Sequence, residues 1–382
     1  MIKRIIFLVE STFNKRDYER FGINLLRKNG FGVEVWDCTP VFQEEYYKNY
    51  TPPDPFKFES LKIFNNEKVL YYKIKSLTKS DLVLMFGFRG LKYLKLHRIL
   101  SSSKADYVIP MINAIPTHDE WKDLSLEKIL RKILKNIFFM LFKIGFVRIK
   151  SARFAIIASK KAIFQNYFIG KSTELIWTHT LDYDLYLKER NKKTKEKNIA
   201  VFLDEYQPFH PDWILLGVAG KLNPDRYFNL LNTFFDIVEK KTGLKVVIAA
   251  HPRSKYEEHK GCWGKRKWYR GKTIQLVKQA KLVIAHSSIS IGFANLFRKP
   301  IIFINDAELN KMPVSCYLIK AMSEAHGKKQ IFIDSGEVAK IDWKKEMKID
   351  KKAYDNYKED YIKNKGSPNL PFWQIVADRL KQ

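Results

Sequence analysis

Lys245 to Ser254 reads KVVIAAHPRS, and Lys281 to Ser290 reads KLVIAHSSIS. Each joins a short apolar run, Lys245 to Ala249 and Lys281 to Ala285, to a polar cluster. The runs read as buried strands, and the second cluster leads into a predicted helix over Ile291 to Arg298. Polar residues therefore gather at the carboxyl ends of two strands, which is where open α/β sheets bind ligands.

The residue types at those two places suit a nucleotide monophosphate or diphosphate. A helix starting near Ser288 or Ser290 offers unpaired backbone N–H groups and a partial positive charge, and the serine hydroxyls add donors. His251 adds a donor, and Arg253 adds a fixed cation that can grip a phosphate at two points. The alternative is structural: Pro252 turns the chain and Ser287 and Ser288 cap a helix.

Lys245 to Tyr256 (KVVIAAHPRSKY) and Thr273 to Ile304 (TIQLVKQAKLVIAHSSISIGFANLFRKPIIFI) resemble the second half of GT-B glycosyltransferases with a His-Pro motif and a Ser-rich motif. Bacterial sialyltransferases, Kdo transferases and related surface-polysaccharide enzymes form that group. The resemblance implies an α/β fold of two Rossmann-like domains facing a central cleft, and a CMP-activated acidic sugar as donor substrate with no separate cofactor. Carried onto this chain, it makes His251, Pro252, Arg253, His286, Ser287, Ser288 and Ser290 the candidate donor-binding set. A polyglycerol-phosphate transferase using CDP-glycerol has a similar arrangement of paired serines, a helix and Lys-Pro-Ile-Ile, here Lys299 to Ile302.

At 382 residues the chain is comfortable for two domains. Met1 to Arg4 leads straight into Ile5 to Val9, which reads as a first strand rather than a secretory signal. A helix over Tyr18 to Lys28, a turn at Gly30 and Gly32, and a strand over Val33 to Trp36 give a βαβ start. Leu82 to Phe86, Tyr107 to Met111, Phe154 to Ala158 and Leu175 to Trp177 continue the strands. The first domain is expected over 1–187, with a basic amphipathic helix near 124–146. Lys188 to Asn198 (KERNKKTKEKN) reads as a solvated linker. A donor domain is expected over 199–340 and a tail over 341–382, whose helix Phe372 to Lys381 returns to the first domain as in GT-B folds. Neither GxGxxG after the first strand nor GxxxxGK[ST] is present, which argues against NAD enzymes and P-loop ATPases. Cys38, Cys262 and Cys316 are widely spaced, which argues against a disulfide framework or a zinc site.

Sixty-nine Lys and Arg against 41 Asp and Glu give a formal charge of +28, a field that favours nucleic acid, anionic lipid or acidic carbohydrate. Lys128, Arg131, Lys132, Lys135 and Lys143 share one face of the basic helix, and Leu130, Ile133, Leu134, Ile137, Leu141 and Ile144 the other. Such a helix either packs on its domain or lies on an anionic membrane surface, where lipid-linked acceptors would be found. The uncharged run Asn136 to Phe142 is too short to span a bilayer. Lys265 to Arg270 (KRKWYR) interleaves cations and aromatics as nucleic-acid binders do, yet no RRM, KH or zinc-finger pattern is present, and nucleic acid is not the expected partner.

Inverting transfer needs a base for the acceptor hydroxyl and donors for the departing phosphate. Asp204 and Glu205 follow the strand Ile199 to Leu203 and are the candidate bases, with His251 as the third catalytic candidate. The pair resembles the acidic motif of the sialyltransferase-like enzymes, with Tyr206 where that motif has glycine. Glu10 and Asp119, the latter beside His118, compete for the role. His210-Pro211 does not directly follow an apolar strand and is not taken as the phosphate motif, and Asp212 reads as a cap for the turn at Trp213. His179 and Asp182 read as structural or cleft-shaping. Asp182-Tyr183-Asp184 matches a DxD pattern but sits outside the donor domain, so no metal is expected.

The expectation is therefore an inverting transferase moving a sialic-acid-like or Kdo-like sugar from CMP to a surface glycan or lipid-linked acceptor, in the cytoplasm or on the inner membrane face. Polyol-phosphate transfer, UDP-sugar 2-epimerisation, and a basic nucleic-acid or membrane adaptor are the alternatives.

Overall fold

The strand β1 (Arg4–Val9, RIIFLV) is apolar at nearly every position because both of its faces are covered. Ile5, Phe7 and Val9 enter one hydrophobic core, and Ile6 and Leu8 enter the core on the opposite face. In the computed structural model, residues 1–382 are described except Arg89, 117–133, 135–136, 138–148, 164–167 and Pro313. The basic helix expected near 124–146, with His118 and Asp119, falls almost wholly outside the described residues.

β1 lies between β2 (Gly32–Asp37) and β4 (Asp81–Phe86), parallel to both. With β3 (Leu61–Ile63), β5 (Asp106–Met111), β6 (Phe154–Ile157) and β7 (Glu174–Trp177) they form a seven-stranded sheet in the order β3-β2-β1-β4-β5-β6-β7. The order reverses between β1 and β4. Glu10, just past β1, spans that point, with Oε1 accepting the Phe88 N–H at 3.0 Å beyond β4. Gln43 and the Tyr93 hydroxyl also donate to Glu10.

The C-terminal helix Phe372–Lys381 completes one layer over this sheet. Phe372, Trp373, Val376, Ala377 and Leu380 are buried in the core that holds Phe7. Trp373 meets Phe7 edge-on at 5.2 Å between ring centroids, and its indole N–H donates to the Arg20 carbonyl at 2.6 Å. Gly22, at φ +55°, makes room for this ring: a Cβ there would sit 2.2 Å from Trp373 Cδ1. His179 anchors the segment leading in, through Nε2 to the Leu370 carbonyl at 2.8 Å. This is a structural role.

The second sheet contains β8 (Ile199–Leu203), β9 (Lys245–Ala250), β10 (Trp268–Arg270), β11 (Leu282–Ala285), β12 (Ile301–Asn305) and β13 (Gln330–Phe332). Its order is β10-β9-β8-β11-β12-β13, again all parallel, with the reversal between β8 and β11. Phe202, Ile248 and Ile284 lie in one core with the helix Pro224–Thr242, and Val201, Leu203, Val283 and Ala285 lie in the other.

Two compact units result, Met1–Ala114 with Asp119–Leu181 and Lys363–Gln382, and Ile115–His118 with Asp182–Ile362. The stretch read as a linker, Lys188 to Asn198, belongs to the second unit. Lys188 and Glu189 end the helix Leu181–Glu189, and Lys278 Nζ donates to the Lys192 carbonyl at 2.6 Å. Residues to Ile362, read as tail, also belong there: Tyr354 is fully buried and its hydroxyl donates to the Lys299 carbonyl at 2.7 Å.

Candidate functional site

The strand order reverses between β8 and β11, and the strand ends at such a reversal are where doubly wound sheets take ligands. Leu203 is level with Ala285 across one side and with Ala249 across the other. The residues that follow, Asp204-Glu205, His286-Ser287 and His251, therefore arrive side by side. The structure brings both sequence motifs and the acidic pair to one edge of the second sheet.

Asp204 is buried, and both its oxygens are engaged. Oδ1 accepts the Tyr206 N–H at 2.8 Å and Oδ2 accepts the His251 N–H at 2.9 Å. Burial pushes its carboxyl up to about 6 despite these bonds. Asp204 thus ties the β8 end to the His251 turn. Glu205 keeps some exposure. Its Oε1 accepts the Ser287 N–H at 2.6 Å, and Oε2 accepts the Ser287 hydroxyl at 3.2 Å and the Gln207 amide at 2.8 Å. Burial, with the Asp204 charge adding to it, pushes Glu205 up to about 7.

Tyr206 occupies the position where glycine was expected, and its backbone shows why: φ is +55° and ψ +37°, the left-handed region. A side chain there costs roughly 1–2 kcal/mol. Burial of the Tyr206 ring against Tyr256, edge-on at 5.2 Å, offsets that cost. The turn folds the chain back so that His210 reaches His251, with ring centroids 4.9 Å apart.

His251-Pro252-Arg253 and His210-Pro211-Asp212 are matching turns. In each, the histidine Nδ1 lies 3.2 Å from the backbone nitrogen two residues on. In His251 the Nδ1 accepts the Arg253 N–H, which leaves the ring proton of the neutral form on Nε2, a donor suited to a phosphate oxygen. Pro252 supplies the turn and no donor. The Arg253 guanidinium donates to Asp212 Oδ1 at 2.9 Å and Oδ2 at 3.3 Å, and to His210 Nε2 at 3.0 Å. Asp212, expected as a cap, instead pairs with Arg253, and His210, set aside in the sequence, joins them. The signal for both was the repeated His-Pro dipeptide.

Ser288 Oγ accepts the Ser290 N–H at 3.3 Å, and Ser290 precedes the helix Ile291–Leu296 with no side-chain cap bond. Two buried polar atoms near these loops, Ser254 Oγ and Gln207 Oε1, have no partner among the described residues. Buried polar groups are normally paired, so such atoms mark a place for water or ligand.

His286 is the correction. Its side chain is 0% exposed, with Nδ1 donating to the Ile304 carbonyl at 2.8 Å and Nε2 accepting from the Tyr227 hydroxyl at 3.1 Å. It faces the Phe202 core and cannot contact a ligand at the strand ends. In the basic run Lys265 to Arg270 the two arginines pair within the chain, while Lys265 and Lys267 are exposed. Arg266 pairs with Glu239 at 3.0 Å, Arg270 pairs with Glu257 at 2.7 Å, and Trp268 packs on Tyr256. Among the described residues, no cluster of three or more His, Cys, Asp or Glu is placed to hold a metal, and no helix is long and apolar enough to cross a membrane.

No family model matches the sequence, and no curated protein matches it. Solved structures do resemble the fold. The wall teichoic acid polymerase TagF superposes with a TM-score of 0.52 at 10% identity, over 99% of this chain and 88% of that one. UDP-GlcNAc 2-epimerase from Methanocaldococcus jannaschii gives 0.49 at 15% identity over 100% of both chains. MurG from Acinetobacter baumannii gives 0.48 at 12% identity over 99% of both. With its two doubly wound parallel sheets, the chain has the GT-B fold.

Proposed function

We propose that the protein is a nucleotide-dependent GT-B transferase whose second unit binds the phosphate of the activated donor, and that the donor is a CMP-linked acidic sugar passed to a surface glycan or lipid-linked acceptor. The observation that carries the reading is the placement of the His251-Pro252-Arg253 turn and of Ser287, Ser288 and Ser290 just past the carboxyl ends of β9 and β11, the two strands that flank β8. The resemblance of both motifs to those of CMP-sugar transferases supports the choice of donor.

In this reading His251 Nε2–H and Arg253 hold the phosphate, and the serines and their backbone N–H groups take up the charge that develops on the departing nucleotide. Glu205, held near pH 7, is the base that accepts the acceptor hydroxyl proton as the new glycosidic bond forms and the sugar–phosphate bond breaks. Asp204 orders the His251 turn. The site supplies cations and N–H groups where other transferases use a metal. The positive charge of the chain, including Lys128, Arg131, Lys132 and Lys135, would draw it to an anionic inner membrane face.

A second reading, UDP-sugar 2-epimerisation, draws on the close pair His210 and His251 with Asp212 beside His210, acids and bases of the kind that proton transfer at a sugar carbon requires. The two separate by assay. A transferase releases nucleotide only with an acceptor glycan present, whereas an epimerase converts its nucleotide sugar alone. Conversion of UDP-GlcNAc without acceptor, and no release of CMP from CMP-sugars with one, would replace the first reading by the second.

A further inference from the structure

The ion pair between Asp212 and Arg253 joins two turns that the chain builds alike, 41 residues apart. Arg253 is the better buried partner, at 20% side-chain exposure against 47% for Asp212. A free arginine pays rotamer entropy to present its fork to an anion. Here the guanidinium is held by both oxygens of the Asp212 carboxylate, at 2.9 and 3.3 Å, and by His210 Nε2 at 3.0 Å. His210 Nε2 can accept that bond only in the neutral ring with its proton on Nδ1, so the 3.2 Å approach of the Asp212 N–H to Nδ1 is then a contact and not a second hydrogen bond. Burial favours the neutral His210 ring, lowering its pKa to about 4. The Arg253 backbone N–H in turn donates to His251 Nδ1, so the same short turn that carries the guanidinium also orients the ring that presents Nε2–H.

We propose that Asp212 and His210 are positioning residues of the phosphate site, orienting Arg253 and, through it, His251. This inference rests on the reading of the His251–Arg253 turn as the place where the nucleotide phosphate binds. The two residues act on the phosphate and leave recognition of the nucleoside alone.

Calorimetric titration of CMP and CDP, with cytidine as the phosphate-free control, tests it on wild type, Asp212→Asn, Asp212→Glu and His210→Phe. The expected result is a loss of about tenfold in CMP and CDP affinity for Asp212→Asn and His210→Phe. Cytidine binding should be unchanged, and Asp212→Glu should recover most of the loss. Should Asp212→Asn fail to fold, His210→Phe reads the same assembly from its other side. Equal or tighter nucleotide binding by Asp212→Asn would overturn the inference, because the carboxylate would then be idle or obstructing. An equal loss for cytidine would overturn it too, because the residues would then only support the loop. Wild-type protein that binds neither CMP nor CDP would instead remove the underlying reading.

Discussion

Glu205 accepts the Ser287 backbone N–H at 2.6 Å, and this bond ties the end of β8 to the end of β11 at the reversal of strand order. Glu10 does the same in the first unit, accepting the Phe88 N–H at 3.0 Å between β1 and β4. Each sheet thus carries a carboxylate at its switch point. In the second unit this carboxylate holds the Ser287 N–H and hydroxyl, so its protonation state bears on stability and, under the proposed function, on binding.

Glu205 has its pKa raised from 4.5 to about 7 in the fold. A carboxyl raised in the fold holds its proton more tightly there than in the unfolded chain. Its contribution to stability is therefore full below pH 4.5, falls as pH rises through about 7, and is level above. Glu205→Gln removes this dependence. In urea denaturation the variant should gain on wild type by up to about 1.4 kcal/mol for each pH unit crossed in that window. An equal difference between the two proteins at both ends of the window would show that burial does not govern Glu205.

Tyr206 offers a test of backbone strain. At φ +55°, Gly should be better than Ala, reversing the usual order in which Ala is favoured. Tyr206→Gly should be more stable than Tyr206→Ala by roughly 1 kcal/mol, and both should be less stable than wild type because the buried ring is lost. Thermal melts that rank Ala above Gly would place the residue outside the left-handed region.

Gly22→Ala should be among the more damaging small substitutions in the first unit. Its Cβ would meet Trp373 Cδ1 at 2.2 Å in a conformation that side chains rarely adopt. Overpacking costs roughly 1–3 kcal/mol and the positive φ about 1 more. A melting temperature unchanged from wild type would mean that Trp373 does not pack there.

The long strands were legible because a parallel strand covered on both faces reads as an uninterrupted apolar run, as in β1, β9 and β11. The three-residue strands Leu61–Ile63, Trp268–Arg270 and Gln330–Phe332 were not, since each pairs along one side only and mixes polar with apolar residues. At the site, residue type was legible and direction was not. His286 looked like part of the phosphate cluster, yet strand alternation puts it in line with Leu282 and Ile284, pointing to the Phe202 core. That parity was available in the sequence. His210 was hidden for another reason: only the left-handed turn at Tyr206 brings it back to His251, and a tyrosine gives no sign of such a turn.

The two histidines called site residues should consequently part company under mutation. His286→Ala removes bonds to the Ile304 carbonyl and the Tyr227 hydroxyl inside the core, and should cost roughly 2–4 kcal/mol of stability. His251→Ala should leave urea denaturation close to wild type. A stable His286→Ala protein that has lost only nucleotide binding would restore His286 to the site.

The central claim is that the strand-end region at the β8/β11 reversal binds a nucleotide phosphate through His251. A thermal-shift titration with CMP, CDP, UMP, UDP and GDP, with and without magnesium, on wild type and His251→Ala tests it most directly. The account predicts a metal-independent stabilisation by CMP or CDP in wild type that disappears in the variant. Equal stabilisation of both proteins, or none by any of the five nucleotides, would contradict it.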